Sequence, residues 1–291
     1  MQYMVQQSAM KEQTYPRSPD ALSPEDIRGF QRGILDYYRC HGRDLPWRAT
    51  TDPYRILVSE IMLQQTQVDR VLPKYLAFME SFPDPAALAG ATLQQVLALW
   101  SGLGYNRRAK ALKNCAEAVM AHHGGRLPET HEALMKLPGI GPYTARAVCA
   151  FAYNRPETVL ETNIRSVYIH FFFAGRTAVR DSDLVPFIEK TLYRTNPRRW
   201  YNGLMDYGVM LKKTRGNPSR KSSGHVRQSS FQGSNRQVRG MIIKILLPHA
   251  GCTEAALIQK TGKDPARVRA ALAELLAEGL IIKKGARIGL P

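Results

Sequence analysis

The sequence predicts an all-α fold, with strands confined to the last residues of the chain. Helix starts are marked by a capping side chain followed by proline, as where Pro24 follows Ser23. Apolar residues then recur at helical spacing, for example Ile56 and Ile61. The third observation is the string LPGIGPYTA at 137–145, in which a glycine turn separates two helical segments. Together these observations favour a helical protein organised around one hairpin of two helices.

Composition limits the partners that the chain can have. The net charge of +17 over 291 residues and a pI near 9.9 favour a polyanion, nucleic acid first and an anionic membrane surface second. No apolar run approaches the roughly 20 residues of a transmembrane helix, so nothing is predicted to span a membrane. We expect DNA and no membrane as the partner. Residues 1–22 are polar and lack the apolar core of an export signal, so we expect a flexible tail on a cytoplasmic protein.

The helical segments follow one another along the chain. The first starts at Ser23, and RDLPWR at 43–48 ends it. Helices are then predicted from Asp52 and over 71–82, 84–89, 92–101, 107–122, 131–136, 142–152, 165–173, 183–195 and 200–211. Three further helices (238–246, 253–261 and 264–278) precede two short strands (280–284 and 287–290). This last pattern predicts a winged-helix-like domain over 237–291.

The glycine turn has a shape that suits a phosphate. Gly139 and Gly141 leave backbone N–H groups accessible beside the positive end of the helix that Pro142 begins. An ordinary helix–helix corner would explain the two glycines equally well. The full string, however, resembles the helix-hairpin-helix of the DNA glycosylase superfamily. The resemblance implies that this unit (Leu137, Gly139, Gly141 and Thr144) grips a DNA backbone phosphate.

A second string indicates which branch of this superfamily the chain resembles. Glu60 lies in an apolar helix, where spacing alone favours an ordinary surface glutamate. The surrounding SEIMLQQTQV, residues 59–68, is similar to the motif of adenine DNA glycosylases. This similarity implies that Glu60 is the catalytic acid, that Gln64 and Gln65 lie at the damaged base pair, and that Gln65 wedges into the duplex.

The string WSGLGYNRR at 100–108 offers another DNA contact. A glycine turn followed by cations at a helix start suits a phosphate, which would be contacted by Arg107 and Arg108. The string also resembles the family pattern in which a tyrosine, here Tyr105, helps to open the base pair. Asn106 departs from that pattern.

The remaining pocket residues are assigned by the resemblance. The family places an acidic residue about twenty positions after the hairpin, where this chain has Glu161 instead of the usual aspartate. Glu161 would be the ionised carboxylate that stabilises the cationic sugar, and its helix is expected to keep it charged. Tyr143 and Asn163 match residues that line the same pocket. Because Tyr143 replaces the Schiff-base lysine of bifunctional relatives, we predict base excision without strand cleavage.

The resemblance covers roughly residues 25–211 and implies a helix-hairpin-helix glycosylase domain over 23–211. Its two helical subdomains, separated by a cleft, would be a six-helix subdomain at about 53–165 and a second one from 23–52 plus 166–211. Many superfamily members next carry four cysteines that hold a 4Fe–4S cluster, whereas residues 212–240 contain none. We therefore predict no cluster, no metal and no other cofactor.

The segment at 212–236 is rich in cations and contains no acid. We predict a basic loop that follows DNA phosphates through Lys212, Lys213 and Arg215, although a solvated linker is the alternative. Adenine glycosylases that recognise 8-oxoguanine usually carry a different C-terminal domain, so the base opposite the target stays open.

The sequence thus favours a monofunctional DNA glycosylase that excises adenine from mismatched or oxidatively damaged pairs after base flipping. A glycosylase for another base, such as thymine or uracil opposite guanine, is one alternative, and a non-catalytic DNA-binding relative is another. We expect a monomer that acts on double-stranded DNA containing a mismatch or lesion, in the bacterial cytoplasm at the nucleoid.

Overall fold

A computed structural model describes residues 15–224, 230–248 and 251–291, and these residues are mostly helical. Within these ranges the helices are α1 (Pro24–His41), α2 (Pro53–Leu63), α3 (Val68–Ser81), α4 (Pro85–Gly90), α5 (Leu93–Trp100), α6 (Arg107–His123), α7 (His131–Leu134), α8 (Pro142–Ala152), α9 (Thr162–Phe172), α10 (Asp181–Thr191), α11 (Pro197–Arg215), α12 (Asn235–Leu246), α13 (Glu254–Thr261) and α14 (Pro265–Ala277). Short 3₁₀ turns are Pro19–Ala21, Pro46–Arg48 and Pro218–Lys221, and the strands are β1 (Cys252–Thr253), β2 (Ile282–Lys284) and β3 (Arg287–Gly289). The all-α prediction is confirmed.

The chain forms two compact units. The described parts of 1–48 and 146–227 make the first unit, and those of 49–145 and 228–291 make the second. The predicted subdomains instead had boundaries near 52 and 165 and a separate C-terminal domain. One boundary between the units falls inside α8, between Ala145 and Arg146.

The first unit is built around a cluster of aromatic side chains. Phe30 on α1 packs edge-to-face against Phe171, Phe172 and Trp200, with ring centroids 5.4, 5.1 and 5.6 Å apart. Tyr15 joins this cluster, 5.2 Å from Phe172, and is buried. Residues 15–22 are therefore packed and not the flexible tail that their polar neighbours suggested, while residues 1–14 lie outside the described residues.

Helix α11 approaches α9 closely because it carries a glycine at the contact. A β-carbon at Gly208 would lie 2.3 Å from the carbonyl oxygen of Asn163, far inside van der Waals contact. Any larger side chain would push the two helices apart. This approach places the last turns of α11 beside the N-terminus of α9.

A buried ion pair fixes the other side of α11. Asp206 accepts hydrogen bonds from both Nη atoms of Arg48, at 2.7 and 2.9 Å, and from Arg43 Nε at 2.7 Å. Burial alone would raise the pKa of Asp206, but hydrogen bonds and charges from these arginines outweigh it and hold the pKa below its usual range. The basic residues of RDLPWR thus serve the fold of this unit.

The second unit begins with α2–α7 around a core that includes Trp100 and Phe78, whose rings lie 6.0 Å apart edge-to-face. Its C-terminal part has the predicted three helices α12–α14 and a hairpin of β2 and β3. The strand β1 was not predicted, and it pairs antiparallel with β3 to give the order β1-β3-β2. Strand β1 was not predicted because two residues are too few to show the alternation of apolar and polar side chains that marks a strand.

The segment predicted as a basic loop is partly regular. Helix α11 continues through Arg215, and Pro218–Lys221 forms a 3₁₀ turn that packs against α9. Ser222 then makes a parallel bridge with Val179, and Ser219 and Ser222 are buried. The loop prediction is wrong for residues 212–222, because basic side chains at a helix C-terminus favour helix continuation. Residues 225–229 lie outside the described residues.

Candidate active site

Glu60 lies on α2 and is contacted by the hairpin helix α8. Helix α2 starts at Pro53, where the Asp52 carboxylate caps the first turn by accepting from the N–H of Tyr54 at 2.8 Å. Glu60 itself is only 8 % exposed, and Tyr143 Oη donates a hydrogen bond to Glu60 Oε2 at 3.1 Å. Two residues that the family resemblance assigned to one pocket, and that are 83 positions apart in sequence, are in contact.

The turn after α2 presents the two glutamines differently. Gln64 Nε2 donates to Thr144 Oγ1 at 3.2 Å, and Thr144 is buried. The hydroxyl of Thr144 therefore faces the protein, and the part predicted for Thr144 in a phosphate contact stays a prediction. Gln65 is exposed and has a φ of 54°, a left-handed conformation that costs a residue with a β-carbon roughly 1–2 kcal/mol. Strain of this kind is typical of functional positions, which fits the wedge prediction.

Arg108 contacts the end of α2, and the phosphate contact predicted for it stays a prediction. Its Nη1 donates to the carbonyl oxygens of Ile61, Met62 and Gln64 at 2.7, 3.0 and 2.5 Å. These carbonyls end α2 and have no partner within the helix, so Arg108 caps the helix that carries Glu60. Burial lowers the pKa of Arg108 to about 10.

Tyr105 is contacted by two guanidinium groups. Arg108 and Arg236 each place a guanidinium carbon 5.4 Å from the centre of the Tyr105 ring, and Arg236 Nη1 donates to Tyr105 Oη at 2.6 Å. Tyr105 also has a left-handed φ of 51°. The contact of Arg236 with Tyr105 was not predicted from the sequence. Arg236 lies on α12, 131 positions after Tyr105, and no motif connects the two residues.

A cavity of about 460 Å³ lies next to this cluster. Its lining includes Gln64, Gln65, Tyr105, Arg107, Asn235 and Arg236. Arg107, predicted to contact phosphate, is exposed and lies 3.8 Å from Glu278. The residues predicted to meet the damaged pair thus share one concave surface with the start of α12.

The hairpin has the predicted helix–turn–helix form, with α7 before the turn and α8 after it. Gly139 has a φ of 76°, and a β-carbon there would lie 2.6 Å from the β-carbon of Ala111 on α6, so only glycine fits. Gly139 and Gly141 are exposed, whereas Leu137 is buried and anchors the turn. The turn is exposed, so its backbone can be reached by a phosphate. The side chain of Leu137 is buried and cannot be reached in the same way.

Glu161 is the N-cap of α9. Its Oε1 accepts from the backbone N–H groups of Asn163 and Ile164 at 2.6 and 2.8 Å, and its Oε2 accepts from Asn163 Nδ2 at 3.2 Å. Burial raises the pKa of Glu161, while the two backbone hydrogen bonds and the charges of Lys212 and Arg165 act to lower it. The expected helix effect is present, but desolvation outweighs it, so the net direction is opposite to the one predicted.

Lys212 lies beside this carboxylate. Its Nζ donates to Asn163 Oδ1 at 2.8 Å, so its side chain is directed at the N-terminus of α9. The DNA contact predicted for Lys212 stays a prediction. Burial lowers the pKa of Lys212, and the charge of Glu161 opposes that effect. Lys213 and Arg215, the other two cations predicted here, are exposed at the end of α11.

The cysteines do not fit an iron–sulfur cluster. Cys40, Cys115, Cys149 and Cys252 belong to α1, α6, α8 and β1. The described residues contain no group of three or more histidine, cysteine, aspartate or glutamate side chains that could hold a metal ion. No step of the reaction is therefore assigned to a cluster. No helix among the described residues is long and apolar enough to cross a membrane.

The exposed hairpin turn and the tyrosine-contacted glutamate both lie in the part of the chain that matches a family of DNA repair proteins. Residues 58–183 match the model of the HhH-GPD superfamily of base excision DNA repair proteins. The solved structure of a thermostable thymine-DNA glycosylase has the same fold, with a TM-score of 0.60, 27 % identity and coverage of 67 % of this chain and 91 % of that one.

Curated relatives narrow the class. An adenine DNA glycosylase of Mycolicibacterium smegmatis is 35 % identical over 268 residues, which cover 85 % of this chain and 91 % of the relative. One from Mycobacterium tuberculosis is 33 % identical over 297 residues, covering 94 % and 96 %. The chain belongs to the adenine DNA glycosylase family.

Proposed function

We propose that this protein is a monofunctional DNA glycosylase that removes adenine from mismatched or oxidatively damaged base pairs. The observation that carries the proposal is the hydrogen bond from Tyr143 to Glu60. It joins the family's hairpin helix to the helix of the SEIMLQQTQV string, which is the string that favours adenine.

The proposed reaction uses two carboxyl groups in different roles. Adenine is first flipped out of the duplex, because its N-glycosidic bond cannot be reached in the stack. Glu60 donates a proton to the departing base, and Tyr143 orients that carboxyl group through their hydrogen bond. Glu161, held by N–H donors at the start of α9, stabilises the positive sugar and orients water. Water then adds to C1′ and gives up a proton that restores the carboxylic acid of Glu60, so that the products are free adenine and an abasic site.

The enclosing DNA contacts are proposed from three surfaces. The exposed glycine turn at Gly139 and Gly141 binds a backbone phosphate, and Gln65 and Tyr105 enter the duplex at the target pair. Lys213 and Arg215 add electrostatic attraction to DNA of any sequence.

The proposal also includes the state and location of the protein. It is a monomer without an iron–sulfur cluster, and it works in the cytoplasm, where the bacterial chromosome lies.

The deciding experiment is a panel of single-turnover excision assays. Duplexes would carry adenine opposite guanine, adenine opposite 8-oxoguanine, thymine opposite guanine and uracil opposite guanine. We expect release of adenine from one or both of the first two substrates only. The thymine-DNA glycosylase that shares the fold at 27 % identity favours thymine as the second candidate. Release of thymine or uracil alone would replace the proposal with that candidate, and no release from any duplex would favour a binding protein.

Strand cleavage is tested with the same substrates. Tyr143 cannot form a Schiff base, so we expect intact abasic DNA until alkali is added and no covalent complex after borohydride reduction. A borohydride-trapped complex would contradict the monofunctional assignment. A trapped complex lost in Lys212→Met would identify the amine responsible.

A further inference from the structure

The last turns of α11 provide a cation beside the carboxylate of Glu161. Gly208 allows α11 to approach the backbone of Asn163, and Lys212 follows four positions later on the same face of the helix. Lys212 Nζ donates to Asn163 Oδ1 at 2.8 Å. The contact is therefore a product of the close helix packing and not of a long side chain reaching across solvent.

This contact fixes the orientation of the Asn163 amide. Because an ammonium group can only donate, Asn163 must present its oxygen to Lys212 and its Nδ2 to the opposite side. Nδ2 then donates to Glu161 Oε2 at 3.2 Å, while Oε1 already accepts two backbone N–H groups. All three groups that contact the carboxylate are donors, an arrangement that matches its ionised form.

We propose that Lys212 is a positioning residue that orients Asn163 toward Glu161 and keeps the Glu161 carboxylate ionised during base excision. This inference rests on the proposed function, because it gives Glu161 the role of stabilising the positive sugar. It assigns to Lys212 a task in the site that is different from a contact with the DNA backbone.

The other charged groups around α9 have partners or targets of their own. Arg165, on α9 itself, also favours the ionised Glu161, but it forms a two-point ion pair at 2.8 Å with Asp181 at the start of α10. Arg215 and Lys221 act on His170, at the far end of α9, where they add to the burial that lowers its pKa. Lys212 contributes more than Arg165 to lowering the pKa of Glu161, against the desolvation that raises it.

The first test measures Glu161 directly and does not require activity. Glu161 would be titrated by its side-chain carboxyl ¹³C resonance, assigned by comparison with Glu161→Gln, in the full chain. Lys212→Met keeps the length of the side chain and removes the charge, so the Glu161 midpoint should move to higher pH. Lys213→Met removes the same charge from an exposed neighbour and should leave the midpoint nearly in place. Lys212→Arg retains a donor and a charge and should preserve the wild-type midpoint.

The second test measures single-turnover adenine release as a function of pH. If Glu161 must be ionised, release falls as pH decreases through its pKa, and Lys212→Met should move this fall to higher pH. We expect the loss relative to wild type to reach at least ~5-fold on the acid side of the profile and to shrink toward alkaline pH, since one pKa unit corresponds to a tenfold change. Thermal unfolding of each variant would check that the fold is retained.

The two tests separate two kinds of failure. An unchanged Glu161 midpoint in Lys212→Met, with the fold intact, overturns the inference whatever the activity. A midpoint that moves while the pH profile of adenine release does not would overturn the catalytic part of the assignment. Absence of base excision by the wild type overturns the proposed function, and the titration still decides whether Lys212 controls Glu161.

Discussion

The two candidate catalytic carboxyl groups lie in contrasting surroundings. Glu60 is in the interior of the apolar helix α2 and receives a hydrogen bond from the neutral hydroxyl of Tyr143. Glu161 is at the start of α9, among backbone N–H groups, an amide and the ammonium group of Lys212. The same side chain is thus given two environments by its place in a helix. Glu60 has an apolar interior with a neutral donor, whereas Glu161 has a helix start with several donors, where burial still raises its pKa.

The contrast explains how one residue type can serve two chemical roles. A mid-helix carboxyl group is deprived of the helix's own N–H donors, since these are used in the backbone ladder. An N-terminal carboxyl group receives those donors, because the first N–H groups of a helix have no carbonyl partner. Substitutions that exchange or remove these features test the contrast.

The largest expected effect is at Glu60. Glu60→Gln keeps the size of the side chain and its capacity to accept from Tyr143, but it cannot donate an acidic proton. Adenine release under single-turnover conditions should fall by at least ~10²-fold, the usual share of general acid catalysis, while duplex binding stays near normal. A near wild-type rate would refute the assignment.

At Glu161, charge and reach are tested separately. Glu161→Gln removes the charge and should reduce release by roughly 10²-fold or more, comparable to the loss of a preorganised electrostatic group. Glu161→Asp retains charge but shortens the arm, and here Oε1 is already fixed by two N–H groups. Because this backbone has accommodated glutamate, we expect the aspartate variant to be slower than wild type. A rate equal to or above wild type would indicate that the site is still adapted to the usual aspartate.

Gly208 tests the packing that supports the Glu161 region. Gly208→Ala places a methyl group against the Asn163 backbone and should destabilise the protein by about 1–3 kcal/mol in denaturant unfolding. Gly240→Ala is the matched control, because Gly240 is also within a helix but has no neighbour within 4 Å of an added β-carbon. Alanine there should stabilise the helix by roughly 0.5–1 kcal/mol. Equal effects of the two substitutions would mean that the close approach is unimportant.

The smallest effect concerns the exposed cations at the end of α11 and in the 3₁₀ turn that follows it. Neutralising Lys213, Arg215 or Arg220 should weaken binding to all duplexes alike, and each lost phosphate contact should reduce the slope of log K against log salt by about 0.9. Lys212→Met should leave the slope closer to the wild-type value, since Lys212 is directed at Asn163. An unchanged slope in the first three variants would make this region a structural element only.

Much of the fold was accessible from sequence because its signals are local. The capping residues Ser23 and Asp52 mark helix starts that the structure confirms, and the glycines of the hairpin require the turn that is found. The extent of α11 was underestimated because the motif NGLMDYGVML ends at Leu211, while the helix continues to Arg215.

The contacts that organise the site were harder to predict from the sequence. Arg108 could be predicted as a cation at a helix start, but its use as a cap for α2 depends on the packing of α6 against α2. The contacts of Lys212 with Asn163 and of Arg236 with Tyr105 join residues 49 and 131 positions apart. A single sequence has no local pattern for such pairs.

The left-handed backbone at Gln65 and Tyr105 has a consequence for how these positions evolve. Glycine would adopt the same φ values without steric cost, yet it would remove the side chains proposed to enter the duplex. Stability and repair therefore make opposite demands at position 65, whereas the Tyr105 side chain also has stabilising contacts with Arg108 and Arg236. A library screened only for heat resistance should enrich glycine or asparagine at position 65 and retain tyrosine at position 105. A library screened for suppression of mutations should retain glutamine at position 65 and tyrosine at position 105. The residue found at position 65 therefore shows whether stability or repair activity was under stronger selection.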